Sequence, residues 1–573
     1  MGKTTNTASS LIRFGKFEAD PQTSELRCDG ARVPLQQQPF QVLVALLARP
    51  GQLVSREELR ELIWNDGTFV DFERGLNKAM NRLREALGDS AGAPRFVETL
   101  PKRGYRFVAP ILPADQSIAV LPFQNLSGDP DQEHWADGLA SELMNGLASL
   151  PGVRVVSRLS TLYFRTHPAP LPEIALRLSA DWIVEGSVAI RAREIRIAVQ
   201  LVHARQDGVL WATTYQEDLD DVFAVQRQIA RAIAQEVRAR ISLVESRRPE
   251  APAEPKAEAF EACLKGRHFF EKKTAEGLNA ALRYFRRAVA QQADYAVAYA
   301  GMADSYVMQG ILGLASPRQV FPKAKTAVEK ALELNGGLAD AYKTLGHIRM
   351  AYDWDWSEAG KEFQRAIQID TNHAAARQNY GILLTIVGRN QEAIAELEAA
   401  RHLDPLSLSA NSLLGFVHMR ARNYDRAIQA CRSAIELHSG NPFGHWILAR
   451  VYDACGEYNK AVGEAREAMT LSKESLQFAS QLGYACARTG DHVAACRIAD
   501  ELVSTSKKKY VSPYLIAMIY VGLGDRVRAF EWLGKSLMER SARMSELLDP
   551  PFDGLRTDRR FERLTRGVGL RSL

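Results

Sequence analysis

The chain has 573 residues and a mass of 63.7 kDa, so it is predicted to contain about three to five folding units. Apolar residues make up 46% and charged residues 25% of the sequence, which excludes a disordered or fibrous protein. The 73 basic and 68 acidic residues leave a net charge of +5, so any nucleic-acid surface must be a local patch rather than a property of the whole chain.

Compartment follows from apolar runs and cysteine spacing. No stretch approaches the about 18 consecutive apolar residues of a membrane span, and the N-terminal residues lack the apolar run of a signal peptide. The six cysteines are widely separated without a C-x-x-C pair, which favours reduced packing residues over disulfides or a metal site. We therefore expect a cytoplasmic protein that makes no contact with a membrane.

Residues 10–112 are predicted to form the first domain. Short strand patterns over residues 11–17 and 25–33 precede an apolar helix over residues 40–47. Ser55 and Glu58 have the spacing of a capping box, which starts a second helix that ends near Trp64. A third helix is predicted over residues 72–87, because apolar residues recur there at spacings of 4, 3 and 4. These are Leu76, Met80, Leu83 and Leu87.

The third helix and the segment after it are rich in cations. At 100° per residue, Arg74, Lys78 and Asn81 fall opposite the apolar stripe, while Arg82 and Arg84 flank it. Alternating strands at residues 95–100 and 104–108 are joined by Pro101, Lys102 and Arg103, which predicts a hairpin with two cations at its tip. Two helices, a basic helix and a basic hairpin together indicate a winged helix-turn-helix, an α+β fold that binds DNA.

The same segment resembles the OmpR/PhoB-type DNA-binding family. The residues that carry the resemblance are Pro50, Gly51, Val54, Ser55, Arg56, Glu57, Glu58, Leu59, Leu76, Asn77, Met80, Leu83, Arg84, Leu87, Gly88, Asp89, Val97, Glu98, Thr99, Gly104, Tyr105, Arg106 and Phe107. The resemblance implies a third helix in the major groove of double-stranded DNA and a wing at the minor groove or backbone. The chain departs from the family at Ala79 and Pro101, so the bases that it reads stay open.

The resemblance assigns a role to each candidate side chain. Lys78, Asn81 and Arg82 are expected at base edges, and Arg74 and Arg84 at phosphates. Arginine pairs with guanine O6 and N7, and asparagine with adenine N6 and N7. Lys102 and Arg103 on the wing would neutralise phosphates and release counterions, which gives affinity without sequence information.

Residues 113–245 alternate between strand and helix patterns. Strands are predicted at residues 118–121, 153–156, 182–190, 195–203 and 209–215, and helices at residues 131–150, 171–178 and 222–241. The motif Ile118, Ala119, Val120, Leu121, Pro122, Phe123 and Asn125, followed by Ala136, Asp137, Gly138 and Leu139, resembles the TolB-like N-terminal domain. This resemblance implies an α/β domain whose motifs are structural.

No cofactor, metal or enzymatic activity is expected. The acidic residues near Asp129, with His134, are better explained by the positive end of the helix that begins there than by a metal. The sequence contains no G-x-S-x-G or H-E-x-x-H motif.

Residues 258–545 carry an internal repeat, after a proline-rich linker over residues 246–257. Small residues recur every 34 positions in two series, Ala393, Ala427, Ala461, Ala495 and Ala529, and Gly381, Gly415, Ala449, Gly483 and Ala517. A third series, Gly388, Arg422, Gly456, Gly490 and Gly524, marks the turn that ends the first helix of each pair. This pattern resembles the tetratricopeptide repeat and implies about eight helix pairs in an all-α superhelix with a concave groove. Residues 546–573 are left as a C-terminal tail.

The preferred hypothesis is a bacterial-type DNA-binding transcription regulator, similar to the ToxR/CadC type without its membrane span. The groove would bind a protein partner or a second copy of the chain, a homodimer could form on DNA, and the middle domain would sense or couple a signal. The main alternative is a cytoplasmic interaction scaffold in which the winged helix binds protein. A further alternative, a cyclase-like enzyme in residues 113–245, rests on analogy of fold alone.

Overall fold

The structure is a computed structural model. It describes residues 12–14, 17–21, 24–28, 31–63, 72–90, 94–101, 103–109, 111–112, 116–129, 132–148, 153–191, 194–203, 208–218, 229, 232, 255–472 and 475–570. The chain divides into two compact units, Met1–Gln116 and Ser117–Leu573, and each is described by itself. Among the described residues, no helix is both long enough and apolar enough to cross a membrane.

The first unit begins with a small antiparallel sheet. Its strands are β1 (Ile12–Phe14), β2 (Phe17–Asp20), β3 (Glu25–Cys28), β4 (Ala31–Val33) and β8 (Ile111–Leu112), in the order β4-β3-β2-β1-β8. Phe14, Phe17 and Leu26 are buried on the side of the sheet that joins the core of this unit. The strand patterns near residues 11–17 and 25–33 are therefore confirmed, each as two strands.

Three helices follow, as the sequence predicts: α1 (Gln37–Leu47), α2 (Arg56–Ile63) and α3 (Phe72–Leu87). The capping box at α2 is present, because Ser55 N–H donates to Glu58 Oε2 at 2.8 Å and Glu58 N–H donates to Ser55 Oγ at 3.2 Å. The four apolar residues of the α3 stripe are at most 1% exposed.

A three-stranded sheet forms the wing. It contains β5 (Leu53–Ser55), β6 (Val97–Leu100) and β7 (Gly104–Phe107), with β7 between the other two and all pairs antiparallel. Gly104 has a φ of +153°, and a Cβ there would lie 2.1 Å from the carbonyl oxygen of Val54. Only glycine therefore allows β7 to approach β5 this closely.

The second unit begins with a mixed sheet of order β11-β9-β12-β13-β14, with β10 also paired to β12. The strands are β9 (Gln116–Val120), β10 (Gln124–Asn125), β11 (Val153–Val155), β12 (Trp182–Arg191), β13 (Glu194–His203) and β14 (Gly208–Asp218). The helices are α4 (Glu133–Ala148), α5 (Arg158–Thr166) and α6 (Leu171–Leu178). The α4 helix packs on one face of the sheet, and α5 and α6 pack on the other.

The strand and helix predictions for this region agree with the structure, apart from three elements. The short strand β10 was not among the predictions. The α5 helix has no counterpart among them. Of the helix predicted over residues 222–241, only Ile229 and Ala232 lie within the described residues, and both are helical. The linker predicted over residues 246–257 lies largely outside the described residues.

The rest of the chain is helical. The described residues form eight successive helix pairs: α7 (Ala257–Glu271) with α8 (Ala275–Gln291), α9 (Ala296–Ile311) with α10 (Pro317–Leu334), α11 (Ala339–Ile348) with α12 (Trp356–Ile369), α13 (Ala374–Ile386) with α14 (Asn390–Leu403), α15 (Leu408–Arg420) with α16 (Tyr424–Leu437), α17 (Pro442–Ala454) with α18 (Tyr458–Leu471), α19 (Leu476–Thr489) with α20 (His492–Ser506), and α21 (Pro513–Gly522) with α22 (Arg526–Met538). In the third pair, the π-helical turn Arg349–Asp353 extends α11.

The three repeat series have the predicted positions. The alanines of both series from residue 393 onward are 0% exposed. A Cβ at Gly415 would lie 2.3 Å from Sγ of Cys431 on the partner helix, so this crossing requires glycine. Gly388, Gly456, Gly490 and Gly524 have positive φ, and Arg422 at the equivalent turn adopts a φ of 59°.

The C-terminal segment, which was predicted as a tail, packs on the repeats. Residues 542–570 form two 3-10 turns, Ala542–Glu546 and Pro550–Leu555, and a helix, α23 (Arg559–Gly567). Met544, Leu547 and Phe552 are 0% exposed and belong to the core of the repeats. The 34-residue period does not continue into this segment, so it does not predict this packing.

A buried ion pair joins the same segment to the first helices of two pairs. Asp549 is 0% exposed and lies 2.6 Å from Nη2 of Arg450 on α17 and 3.1 Å from Nε of Arg420 on α15. The face of α15 and α17 that bears Arg420 and Arg450 therefore carries the chain's own C-terminal segment.

The middle domain also packs directly on the repeats. Arg154 donates to the carbonyl of His402 at 3.0 Å, and Asn372 donates to the carbonyl of Val153 at 3.1 Å. Ser160 Oγ accepts from Leu406 N–H at 2.7 Å and donates to Asp404. These bonds span more than 200 residues of sequence and join the two regions into a single body.

Replacing two glycines of the repeats by alanine is predicted to change the stability of the chain in opposite directions. We expect Gly415→Ala to destabilise the chain, because its methyl group meets the buried Cys431 and overpacking costs about 1 to 3 kcal/mol. Gly463→Ala on α18 has no atom within 4 Å and is expected to stabilise by about 0.5 to 1 kcal/mol, since alanine favours a helix. Calorimetric unfolding of the full chain measures both shifts in Tm, and equal shifts would contradict the close crossing.

Candidate nucleic-acid interface

The α3 helix has one buried and one exposed side. Arg74, Lys78 and Asn81 are exposed, while Leu76, Met80 and Leu83 point into the core of the first unit. This separation follows from the 3.6-residue period of the helix. Three of the candidate DNA contacts thus share the solvent-facing side of one helix.

Arg82 lies at the edge of this exposed side. Its side chain is half-buried, and its Nη1 donates to the Oε1 atom of Gln36, just before α1. This contact within the protein therefore holds the guanidinium close to the start of α1. A guanidinium carries five N–H donors, so this bond leaves donors for a further acceptor.

Arg84 is placed differently from its predicted role. The residue is 9% exposed, and its Nη2 donates to the carbonyl of Val97 at 2.9 Å and to Oγ1 of Thr99 at 2.7 Å. It connects α3 to strand β6 of the wing. The prediction of a phosphate contact is corrected accordingly, because a buried guanidinium that is bonded within the domain does not face DNA.

The tip of the wing is a tight turn. Arg103 N–H donates to the carbonyl of Leu100 at 3.0 Å, and the Arg103 residue is exposed. The second predicted cation, Lys102, lies outside the described residues.

Asp89 fixes the start of the wing after α3. Its carboxylate accepts backbone N–H bonds from Ser90, Arg95, Phe96 and Val97 at 2.8 to 3.1 Å. Partial burial opposes the charge, but these four donors outweigh it, so the pKa of Asp89 is lowered from its ordinary value. The bonds hold β6 in position relative to the end of α3.

A second network joins α2, α3 and β7. Arg56 donates to Glu73 at 3.1 Å, to Asn77 Oδ1 at 2.9 Å and to the hydroxyl of Tyr105 at 3.2 Å. Its guanidinium carbon lies 5.5 Å from the centre of the Tyr105 ring, and burial raises the pKa of the Tyr105 hydroxyl. Arg56, Asn77 and Tyr105 all belong to the motif that carries the OmpR/PhoB-type resemblance, but the pattern of charges assigns none of them a contact with DNA.

The acidic cluster in the middle domain is built from ion pairs. Asp137 is 5% exposed and lies close to Arg165, Arg158 and His268. Desolvation opposes the carboxylate, but the bonds from His268 and Arg165 outweigh it and lower the pKa of Asp137. Among the described residues, no group of histidine, cysteine and acidic side chains has the arrangement of a metal site.

Two protein families match parts of the chain. Residues 30–107 match the family described as "Transcriptional regulatory protein, C terminal". Residues 114–232 match the family described as "HilA/YgeH-like transcriptional regulator, second domain". Together these matches cover about a third of the sequence, and they agree with a winged-helix region followed by a sheet-containing region.

Three curated proteins show the range of relatives. The chain is 28% identical over 289 residues, 49% of its length and 47% of the relative, to "Putative adenylate cyclase 3" of Rhizobium meliloti. It is 23% identical over 415 residues, 69% of its length and 71% of the relative, to "Transcriptional regulator HilA" of Salmonella typhimurium. It is 31% identical over 110 residues to "Cholera toxin homolog transcriptional activator" of Vibrio parahaemolyticus, covering 19% of this chain and 38% of that protein. The chain thus spans between about two fifths and 71% of these relatives.

The placement of Arg84 predicts a local effect on the wing. Arg84→Ala removes the donor for Val97 and Thr99, and an unsatisfied buried acceptor costs about 1 to 3 kcal/mol. We expect amide hydrogen exchange in residues 94–107 to become faster. Mass-spectrometric exchange measures this change, with Arg74→Ala as the matched control on the exposed side of α3. Unchanged exchange in Arg84→Ala would contradict the connection between α3 and β6.

Proposed function

We propose that the chain is a transcription regulator that binds double-stranded DNA with α3 in the major groove and the wing against the backbone or minor groove. The observation that carries this proposal is the exposed side of α3, where Arg74, Lys78 and Asn81 stand opposite a fully buried stripe. The family match over residues 30–107 and the relatives named as transcription regulators support it.

The candidate side chains divide by position. We assign Lys78, Asn81 and Arg82 to base edges, and Arg74 to a phosphate, together with Lys102 and Arg103 on the wing. To contact a base, Arg82 must either release its bond to Gln36 or keep that bond and use its remaining N–H donors. Arg84 has no part in this set.

The other regions are proposed to regulate this binding. The likeness of residues 118–125 to TolB-like domains supports a role for the middle domain in sensing or coupling a signal, without enzymatic activity. Because the C-terminal segment covers α15 and α17, we propose that the repeats bind a protein partner or a second copy through a surface which that segment leaves uncovered. A regulator of promoter DNA acts in the cytoplasm of a bacterial cell, where we place the protein.

Selection from random duplexes tests the proposal directly. The purified full chain is incubated with a random duplex library at several salt concentrations, and the retained sequences are determined. A shared motif is expected, and two half-sites one helical turn apart would indicate that two copies bind together. Retention of every sequence to the same extent, or of none, would contradict specific DNA binding and favour the scaffold alternative.

Substitutions on α3 separate base contacts from phosphate contacts. Arg82→Ala is expected to weaken binding to the selected duplex by about 1 to 3 kcal/mol and to relax the preference at one position. Arg74→Ala should weaken binding to all duplexes to the same extent and reduce the slope of log K against log salt by about 1. Fluorescence anisotropy measures both effects.

The matched control is Arg27→Ala, which removes an exposed arginine from strand β3 of the same unit. It is expected to change neither affinity nor salt slope. If Arg27→Ala and Arg82→Ala weaken binding equally, the effect is one of net charge, and α3 does not read the bases.

A further inference from the structure

A cavity of about 380 Å³ lies where the turns of the last four helix pairs meet the C-terminal segment. Its lining includes Arg422, Arg488 and Arg526, which lie in or next to the turns of three different pairs, and Pro550, Pro551 and Gly554 from the 3-10 turn. Its volume is within the range of sites for small molecules. It belongs to neither the α3 surface nor the wing.

Three arginines give this cavity its positive charge. Arg422 donates to Asp553 at 2.8 Å, Arg526 donates to the carbonyl of Gly554 at 3.1 Å, and Arg488 donates to the hydroxyl of Tyr458. Each of these bonds uses one nitrogen of a guanidinium that has five N–H donors and stays charged at any physiological pH. Further donors are thus left on each arginine for an acceptor in the cavity.

Asp453 contributes a buried polar atom without a partner. The residue lines the cavity and is only 6% exposed. One carboxyl oxygen accepts from Gln481, while the other, Oδ1, has no hydrogen-bond partner among the described residues. Buried polar atoms are nearly always satisfied, so this atom indicates a ligand or ordered water at that point.

The lining holds more arginines than acids, because Arg422, Arg488 and Arg526 outnumber Asp453 and Asp553. Desolvation raises the pKa of Asp453 well above its ordinary range, despite the bond from Gln481 and the positive charge of Arg488. Asp553, the other acid of the lining, is already paired with Arg422 and lies 2.9 Å from Arg556.

Tyrosines complete the lining. Tyr458, Tyr484 and Tyr520 are its aromatic residues, and the guanidinium of Arg488 stacks 4.7 Å from the centre of the Tyr458 ring. Burial raises the pKa of Tyr484, which therefore stays a neutral phenol with an O–H donor. The cavity accordingly offers guanidinium and phenol donors, a set that matches the oxygens of an anion.

We propose that this cavity binds a small anionic metabolite through a phosphate or carboxylate group, held by Arg488, Arg526 and Arg422. The site exists only while the C-terminal segment is docked, because residues 550–554 form one of its walls. A bound anion therefore stabilises the docked segment by mass action. The proposal concerns the repeats alone and is independent of DNA binding.

Calorimetric titration of the full chain tests the site, with pyrophosphate as the phosphate probe and citrate as the carboxylate probe. We expect saturable binding of at least one of them at or below about 1 mM, which corresponds to about 4 kcal/mol. Binding of pyrophosphate alone would assign a phosphate-bearing ligand, and binding of citrate alone a carboxylate-bearing one. Arg488→Gln and Arg526→Gln should each weaken binding about tenfold or more.

The control is Arg365→Gln, which removes an exposed arginine from α12, outside the lining. It should bind as the unchanged protein does, and thermal unfolding without ligand verifies that all variants are folded. Absence of saturable binding for both probes would overturn the proposal. So would binding that Arg488→Gln, Arg526→Gln and Arg422→Gln all leave unchanged. Neither result bears on the selection of duplexes by α3.

Discussion

The close crossing of the helices within each pair is the constraint on which most of the chain depends. A pair of helices buries its apolar face only against its neighbours, so the spacing of the helices in each pair determines how the next pair packs against it. That spacing is determined by alanine and glycine at two positions per repeat, as at Gly415, where no room for a side chain exists.

The second organising interaction is the ion pair of Asp549 with Arg420 and Arg450. A fully buried carboxylate is costly to desolvate, and replacing such a pair by apolar residues is often neutral for stability. Its value here lies in position: Arg450 stacks 5.0 Å from the rings of Phe416 and Trp446, which fixes where the carboxylate can dock. The apolar side chains Met544, Leu547 and Phe552 supply most of the burial, while Asp549 determines the register of the segment.

The sequence predicts those features that arise from contacts between near neighbours. Periodicity locates α3 and its buried stripe, and the 34-residue spacing locates the helix pairs and their turns. The sequence does not predict the role of Arg84, because an arginine beside an apolar stripe can face solvent or reach a neighbouring strand. The bonds of Arg154 to His402 and of Ser160 to Leu406 join residues more than 200 positions apart, and no local pattern records them.

The regions of the second unit pack on one another, so a movement in one region displaces residues of another. Because the middle domain is hydrogen-bonded to α14 and to the turn before α15, a movement of α5 must also displace Asp404 and Leu406. The C-terminal segment contacts α15 and α17 through Asp549, so a change in its docking also changes the ion pairs of Arg420 and Arg450. On the proposed function, a signal that reached the middle domain or the C-terminal segment would act on one continuous body of repeats. Such regulation would be a shift between docked and undocked arrangements of that segment, and it would require a ligand that distinguishes them.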